Sequence, residues 1–346
     1  MNRTKKICLI ASAITVAVGI CISIFVCIIT NFNPYKNAEV KFDEKVHLID
    51  EKFENIKIDD TMCNIFIIPS EDEECKVVCH DEEKRYHTVE VVNNTLTINS
   101  VDSRKWYEEF YFGFTFSWND FISLSIYLPE KEYKELYIDT FSGDVDIASS
   151  FTFANSEVES TSGDIKCNAK FKGDVKFDST SGDIDLSNVS ANNISACTTS
   201  GDIAISDISA DNISADTTSG EVEISSVNAK DKLYADSTSG DVNVLDSKAY
   251  DIFLESTSGD VDMRNTVSLG DLKIESTSGD IEFYRCDGKS IDLNSVSGDI
   301  EGSFLTEKLF ITDTTSGEVN VPNCTSDEQC RITTTSGDIE VTILKY

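Results

Sequence analysis

Thr335-Ser336-Gly337-Asp338 closes a series of four-residue corners that begins at Phe141-Ser142-Gly143-Asp144. The glycines fall at Gly143, Gly163, Gly182, Gly201, Gly220, Gly240, Gly259, Gly279, Gly298, Gly317 and Gly337, always 19 or 20 residues apart. A period of that length, held over eleven copies, predicts a stacked repeat in which each unit buries its apolar side against its neighbours.

Aligned on the glycine, the columns say what stacks. Ser precedes it in every copy, and Asp follows it except at Glu221 and Glu318. Two residues further on comes a β-branched apolar residue, from Val145 through Ile203 to Ile339. Four after the glycine is usually apolar (Ile147, Leu186, Val244, Phe283), as are five and seven before it (Leu136 and Ile138, Val175 and Phe177, Leu272 and Ile274). The residues between are polar. Period-2 alternation on both sides of a corner marks short half-buried strands. Gly is expected to supply backbone freedom for the corner, and Asp or Ser to hydrogen-bond its own turn. The expected fold is all-β: a parallel β-helix, or β-solenoid, with 19–20-residue coils. In each coil one strand enters the corner, one leaves it, and a loop returns, with half-step echoes at Lys172-Gly173-Asp174 and Leu269-Gly270-Asp271. The handedness of parallel crossovers favours a right-handed coil.

Outward from the repeats, the chain divides into five stretches. Residues 1–6 form a short tail with Arg3, Lys5 and Lys6. Ile7 to Ile29 is 23 residues without a charge, enough to cross a hydrocarbon core about 30 Å thick. A single transmembrane helix is expected over 7–30, with the basic tail in the cytoplasm and the remainder of the chain outside the cell. The rival reading, a cleaved signal peptide, lacks a small-residue cleavage pattern at Cys27-Ile28-Ile29-Thr30. Cys21 and Cys27 follow Ile20 and Val26, not the small residues that lipid attachment needs. Residues 31–45, with Pro34, form a polar stalk. Residues 46–135 are β-rich but lack the Ser-Gly-Asp corner, and form a cap or lead-in. Strands are expected at Ile56–Ile58, Cys63–Ile68, Cys75–Cys79, Thr88–Val92, Thr95–Ile98 and Ser123–Leu128. Within this region Trp106–Phe121 holds nine aromatics in sixteen residues and would either plug the first coil or present an aromatic patch. Residues 136–346 are the repeat solenoid. Its far end, after the strand at Ile339–Ile343, is closed by Leu344 and Tyr346 or docks against another chain.

Composition and motifs narrow the function classes. A formal net charge of −33 excludes the basic surface of a nucleic-acid binder. The three histidines (His47, His80, His87) all precede the repeats. There is no Gly-x-Ser-x-Gly elbow, Walker loop, dinucleotide fingerprint or His-Glu-x-x-His. Carboxylates recur in every coil with no coil that adds a special Arg or Lys, so no catalytic, cofactor or metal residues are assigned and a polysaccharide-active enzyme is the lesser alternative. Stacked carboxylates about 4.8 Å apart repel by about 0.9 kcal/mol in water. Hydrogen bonds from backbone N–H and Ser or Thr hydroxyls would offset this, with calcium between coils as the alternative. Of the eight cysteines beyond the apolar segment, Cys167, Cys286, Cys324 and Cys330 fall at apolar positions and Cys197 at an outward one. Cys63, Cys75 and Cys79, with His80 and His87, match no standard zinc spacing. A disulfide from Cys63 to Cys75 or Cys79 is expected instead.

The apolar N-terminal segment, the β-rich lead-in with its late Leu128-Pro129, and the repeated Ser-Gly-Asp-Val/Ile coils together resemble the bacterial toastrack family. That resemblance covers nearly everything after the apolar segment. It implies a cell-envelope protein called an adhesin by inference from the solenoid, or a component of an envelope-stress membrane module, and it supplies no site residues. Taken with the acidic columns, it leads to an expected membrane-anchored extracellular solenoid with a non-catalytic binding, adhesion or scaffolding role. Its expected partners are the membrane through 7–30, other membrane proteins, and a cationic peptide, basic protein or cell-wall component.

Overall fold

The computed structural model describes residues 43–344 apart from 62 and 105–122. The expected membrane helix at 7–30 and the aromatic stretch at 106–121 lie outside the described residues. Among the described residues there is no helix. All the strands belong to one compact unit, a β-solenoid.

The coils from Gly143 to Gly279 each carry three ladders. A short strand leaves the glycine corner and joins a 15-stranded sheet, as Ile184–Ser187 pairs in parallel with Ile203–Ser206. A longer strand enters the next corner and joins a second sheet, as Asn193–Thr198 pairs with the end of Ser209–Thr217. Between them the returning segment is not a plain loop. It forms a third, minimal ladder of two-residue strands such as Lys170–Phe171, Lys248–Ala249 and Val267–Ser268. Apolar side chains from all three ladders meet in one continuous core. Aromatic rings thread its first coils, with Phe53 over Tyr133 at 6.0 Å, Tyr133 to Phe153 at 5.8 Å and Phe153 to Phe171 at 5.8 Å. Ala210, Ala229 and Ala249 follow along the same ladder, so the filling narrows as the stack proceeds.

The corner works differently from the sequence expectation. None of the described glycines has a positive φ. Glycine is required by close approach: a Cβ on Gly163 would lie 2.0 Å from the Gly143 carbonyl oxygen, and one on Gly182 would lie 2.0 Å from that of Gly163. Left-handed backbone occurs six residues later instead, at Asn188, Asp207, Ser226, Asp246, Asn265 and Arg285, with φ from 48° to 57°. Most of these are types that tolerate that region, so this second corner is also written in the sequence. The aspartates cap the next coil, not their own turn. Asp183 N–H donates to Asp164 Oδ1 at 2.9 Å, Asp202 N–H to Asp183 Oδ1 at 2.8 Å, and Asp299 N–H to Asp280 Oδ1 at 2.8 Å. The buried hydroxyl ladder stands three residues before the glycine. Thr217 Oγ1 accepts the Gly220 N–H at 3.2 Å and donates to the Gly201 carbonyl at 3.0 Å. The serine directly before the glycine, as at Ser219, is exposed.

Chain order and stacking order part company at both ends. Asn55–Asp60 and Asn64–Pro69 form a first coil that stacks on the Gly143 coil. Thr95–Asp102 and Ser123–Leu128 form another on its far side, backed by antiparallel strands Asp43–Ile49, Cys75–Asp81 and Arg85–Val92. At the other end the Gly337 coil does not follow the Gly317 coil. Gln329–Thr334 and Ile339–Ile343 insert between the Gly298 and Gly317 coils. The coil at the end of the stack is therefore the one at Gly317, not Gly337, and its Leu309, Ile311 and Val319 are exposed. Lys308, 1 % exposed, joins it to its neighbours through Asp287 at 2.7 Å, the Gly288 carbonyl at 2.8 Å and Glu328.

Candidate functional site

The outward side of the second sheet is set by two columns, because alternate residues of each strand face away from the core. One column runs Tyr137, Glu157, Lys176, Ser195, Ser214, Tyr234, Phe253 in register. Ser195 and Ser214 stand next to each other in it, between Lys176 and Tyr234, with Tyr137 further out. Small side chains between large ones leave a depression of about 840 Å³ across six strands. At the strand spacing this spans about 24 Å. Its edge is a polar ladder: Asn193 Nδ2 donates to Asp174 Oδ1 at 2.6 Å, and Asn212 Nδ2 to Asn193 Oδ1 at 2.8 Å. Lys232 closes one end, its ammonium 4.9 Å from the Tyr234 ring centroid and 4.4 Å from that of Phe253.

The second column is acidic. Asp59, Asp139, Glu159, Asp178, Cys197, Asp216, Asp236, Glu255 and Glu275 follow one another in register. Lys176 answers one part of it, lying 2.6 Å from Asp178 and 3.6 Å from Glu159, and its hydrogen bonds to Asp178 and, at 3.3 Å, to Glu157 raise its pKa. Further along, Asp216, Asp236 and Glu255 face one another. Burial raises the Asp236 pKa, and the charges of Asp216 and Glu255 raise it further. Cys197 is in the outward position expected from its register. It is half-buried, with Ser195 Oγ 3.7 Å from its sulfur, and burial pushes its thiol pKa up. It is a small residue in the acidic column, not an activated thiolate.

The other cysteines sort by position. Cys167, Cys286 and Cys330 are buried as expected, whereas Cys324 lies in the segment after Val319–Asn320 and is half-exposed. All eight described thiols are free, so the expected disulfide from Cys63 is not formed. Cys63 and Cys79 instead flank His87, and Cys75 and His80 stand apart from that group. Asp60 and Asp81 complete it. Linear spacing could not show this, because the five residues come from three strands and a corner.

A family model described as Toastrack DUF4097 matches residues 53–248 and 227–345. None of the curated proteins matches the chain. Among solved structures, a candidate adhesin from Parabacteroides merdae ATCC 43184 is 13% identical with a TM-score of 0.42, over 88% of this chain and 97% of that one. A candidate lipid-binding protein from Parabacteroides distasonis ATCC 8503 is 16% identical with a TM-score of 0.41, over 87% and 97%. A candidate cell adhesion protein from Clostridium sporogenes ATCC 15579 is 12% identical with a TM-score of 0.22, over 88% and 100%. At these values nothing about a role passes from them to this chain.

Proposed function

The chain belongs to the toastrack family, and from that premise we propose that it is a non-catalytic binding element of the bacterial cell envelope. In this reading residues 7–30 anchor it in the membrane and the solenoid faces outward, taking up a cationic segment of a peptide, a basic protein or the cell wall. One observation carries the reading: a register of carboxylates on one outward face, beside a depression floored by Ser195 and Ser214 and walled by Tyr137 and Tyr234. An extended basic chain lying across the strands would meet a carboxylate about every 4.8 Å, except at Cys197, and stack its aliphatic stems on the tyrosines. Attraction of this kind is fast, tolerant of sequence, and screened by salt.

The test uses the full chain and a fluorescent oligolysine peptide, with anisotropy followed from about 20 mM to about 500 mM salt, a range that shortens the Debye length several-fold. Binding should weaken steeply with salt. A variant carrying Asp216→Asn, Asp236→Asn and Glu255→Gln should bind at least about tenfold more weakly at low salt. Binding that ignores both salt and these substitutions would remove the proposal. Protease added to intact cells should digest the solenoid, and complete protection would place it on the wrong side of the membrane.

A further inference from the structure

The first coil departs from the repeat at three neighbouring points. Asp60 pairs in register with Thr140 and so holds the place of the buried hydroxyl ladder. It makes the same corner hydrogen bond with a carboxylate, Oδ1 accepting the Cys63 N–H at 2.7 Å. Cys63 stands in the glycine column, since a Cβ on Gly143 would meet the Cys63 carbonyl oxygen. Asn64 takes the place of the capping aspartate, its Oδ1 accepting the Asp144 N–H at 3.0 Å. The coil is therefore built as the others are, but with a carboxylate and a thiol where they carry a hydroxyl and a hydrogen atom.

His87 comes to this corner from the strand Arg85–Val92. Its Nε2 lies 2.7 Å from Asp60 Oδ2 and 3.6 Å from Cys63 Sγ. Its Nδ1 lies 2.7 Å from Asp81 Oδ1, and Asp81 Oδ2 is 3.0 Å from the Lys45 ammonium. Asp60, Cys63 and His87 are each at most 8 % exposed. A cavity of about 30 Å³, room for about one water or ion, is lined by all three.

We propose that Asp60, Cys63 and His87 bind one divalent transition-metal ion of the zinc class through Oδ2, Sγ and Nε2, with water from the adjoining cavity in the fourth position. The donor set is the mixed nitrogen, sulfur and oxygen set that zinc accepts. Zinc–sulfur and zinc–nitrogen bonds of about 2.3 and 2.05 Å place those atoms about 3.6 Å apart across a tetrahedral edge. That is the separation already present between Cys63 and His87. The Asp60 oxygen would open from its hydrogen-bond distance to about 3.3 Å. Asp81 would then serve as the outer carboxylate that fixes a metal-bound histidine through its other ring nitrogen. The opposite end of the ring, toward Cys79 and Asp81, offers a similar set of atoms but does not border the cavity.

A simpler arrangement competes, a buried imidazolium bridging Asp60 and Asp81. It needs no thiol, and it leaves unexplained why the one corner facing His87 exchanges the repeat's glycine for cysteine. The full chain, loaded with Zn²⁺ and dialysed, should retain one zinc per chain and melt at a higher temperature than the chelated protein. With Co²⁺ it should show the visible bands of a four-coordinate ion and a thiolate charge-transfer band. Cys63→Gly restores the repeat's own residue and should fold, yet lose that band and bind zinc more than about tenfold more weakly. Asp81→Asn should weaken binding by about 10–100-fold. If Cys63→Gly fails to fold, Cys63→Ser answers the same question. No retained zinc, a six-coordinate cobalt spectrum, or Cys63 variants that retain zinc as well as the parent protein would overturn the site in favour of the proton bridge.

Discussion

A Cβ placed on Gly143 would lie 1.6 Å from the carbonyl oxygen of Cys63, and the same contact recurs at 2.0 Å from Gly163 to Gly143. Successive corners touch backbone to backbone, so the glycine column is a column of closest approach. This contact predicts a large effect from the smallest side chain. Gly201→Ala puts a methyl group 2.1 Å from the Gly182 carbonyl oxygen, with coils packed on both sides. It should cost about 3 kcal/mol or more in urea unfolding of the full chain, above the usual range for overpacking because the obstacle is backbone. Gly317→Ala faces an equally short contact, but in the end coil, which can tilt away, and it should cost less. Equal and small losses at both positions would mean that the stack breathes more than these contacts allow.

The hydroxyl ladder predicts a contrast between two residues that look equally fixed in the repeat. Thr217 is buried and serves two coils, whereas Ser219 is exposed. Thr217→Val keeps the shape and leaves the Gly220 N–H and the Gly201 carbonyl unpaired, which should cost about 1–3 kcal/mol. Ser219→Ala should stay within about 0.5 kcal/mol. A chemical-denaturation comparison decides, and a Ser219 effect as large as that of Thr217 would misplace the ladder.

These two residues also show how far the sequence could be read. Period, corner, apolar columns and parallel coils followed from alternation, because each coil repeats one set of burial demands. The role of each corner residue did not follow. Ser219 and Thr217 are both hydroxyls, and only the three-dimensional corner separates the buried one from the exposed one. Backbone freedom is the commoner reason for a glycine turn, whereas here the reason is contact across coils. The exchange of the Gly317 and Gly337 coils was illegible for a different cause. Near-identical corners stack equally well in either order, so the period carries no information about sequence of assembly. The Asp60, Cys63 and His87 group was hidden because its members lie up to 27 residues apart and meet only when the antiparallel strands fold over the first coil.

The acidic column predicts a pH dependence with a definite sign. Burial raises the Asp236 pKa above its ordinary value, with Asp216 and Glu255 adding to the shift. Folding therefore disfavours its ionised form. Its contribution to stability is fully present below the unfolded pKa, near 3.9, and is lost as pH rises through the higher folded value. Asp236→Asn should melt at a higher temperature than the parent protein at pH 7, and the gap should close as pH falls toward about 4. The difference between the two proteins isolates this group from other carboxylates whose protonation opposes folding. A gap that widens on acidification would contradict the assigned cause.

Lys308 predicts what holds the end coil in place. Its ammonium is 1 % exposed and bridges Asp287, which belongs to an earlier coil, and Glu328, which leads into the inserted one. Lys308→Ala strands the mostly buried Asp287 carboxylate and should cost about 3 kcal/mol, the loss typical of removing one partner of a buried pair. Because Glu328 is half-exposed and can turn to water, Glu328→Gln should cost under about 1 kcal/mol. Equal costs would show that the outer pair, and not the buried one, carries the anchor.

The exchanged order of the last two coils predicts a reversal in hydrogen exchange. Leu309–Thr314 pairs on one side only, with Gln329–Thr334, whereas Gln329–Thr334 is paired on both sides. Edge strands open locally at a lower cost than strands held between neighbours. Amides of Leu309–Thr314 should therefore exchange faster than those of Gln329–Thr334, although the latter lie nearer the end of the chain. Stacking in chain order would give the opposite ranking. Mass spectrometry of peptic fragments from these two segments distinguishes the outcomes, and Lys308→Ala should speed exchange at Leu309–Thr314 before it affects Ile291 or Leu293 in the interior.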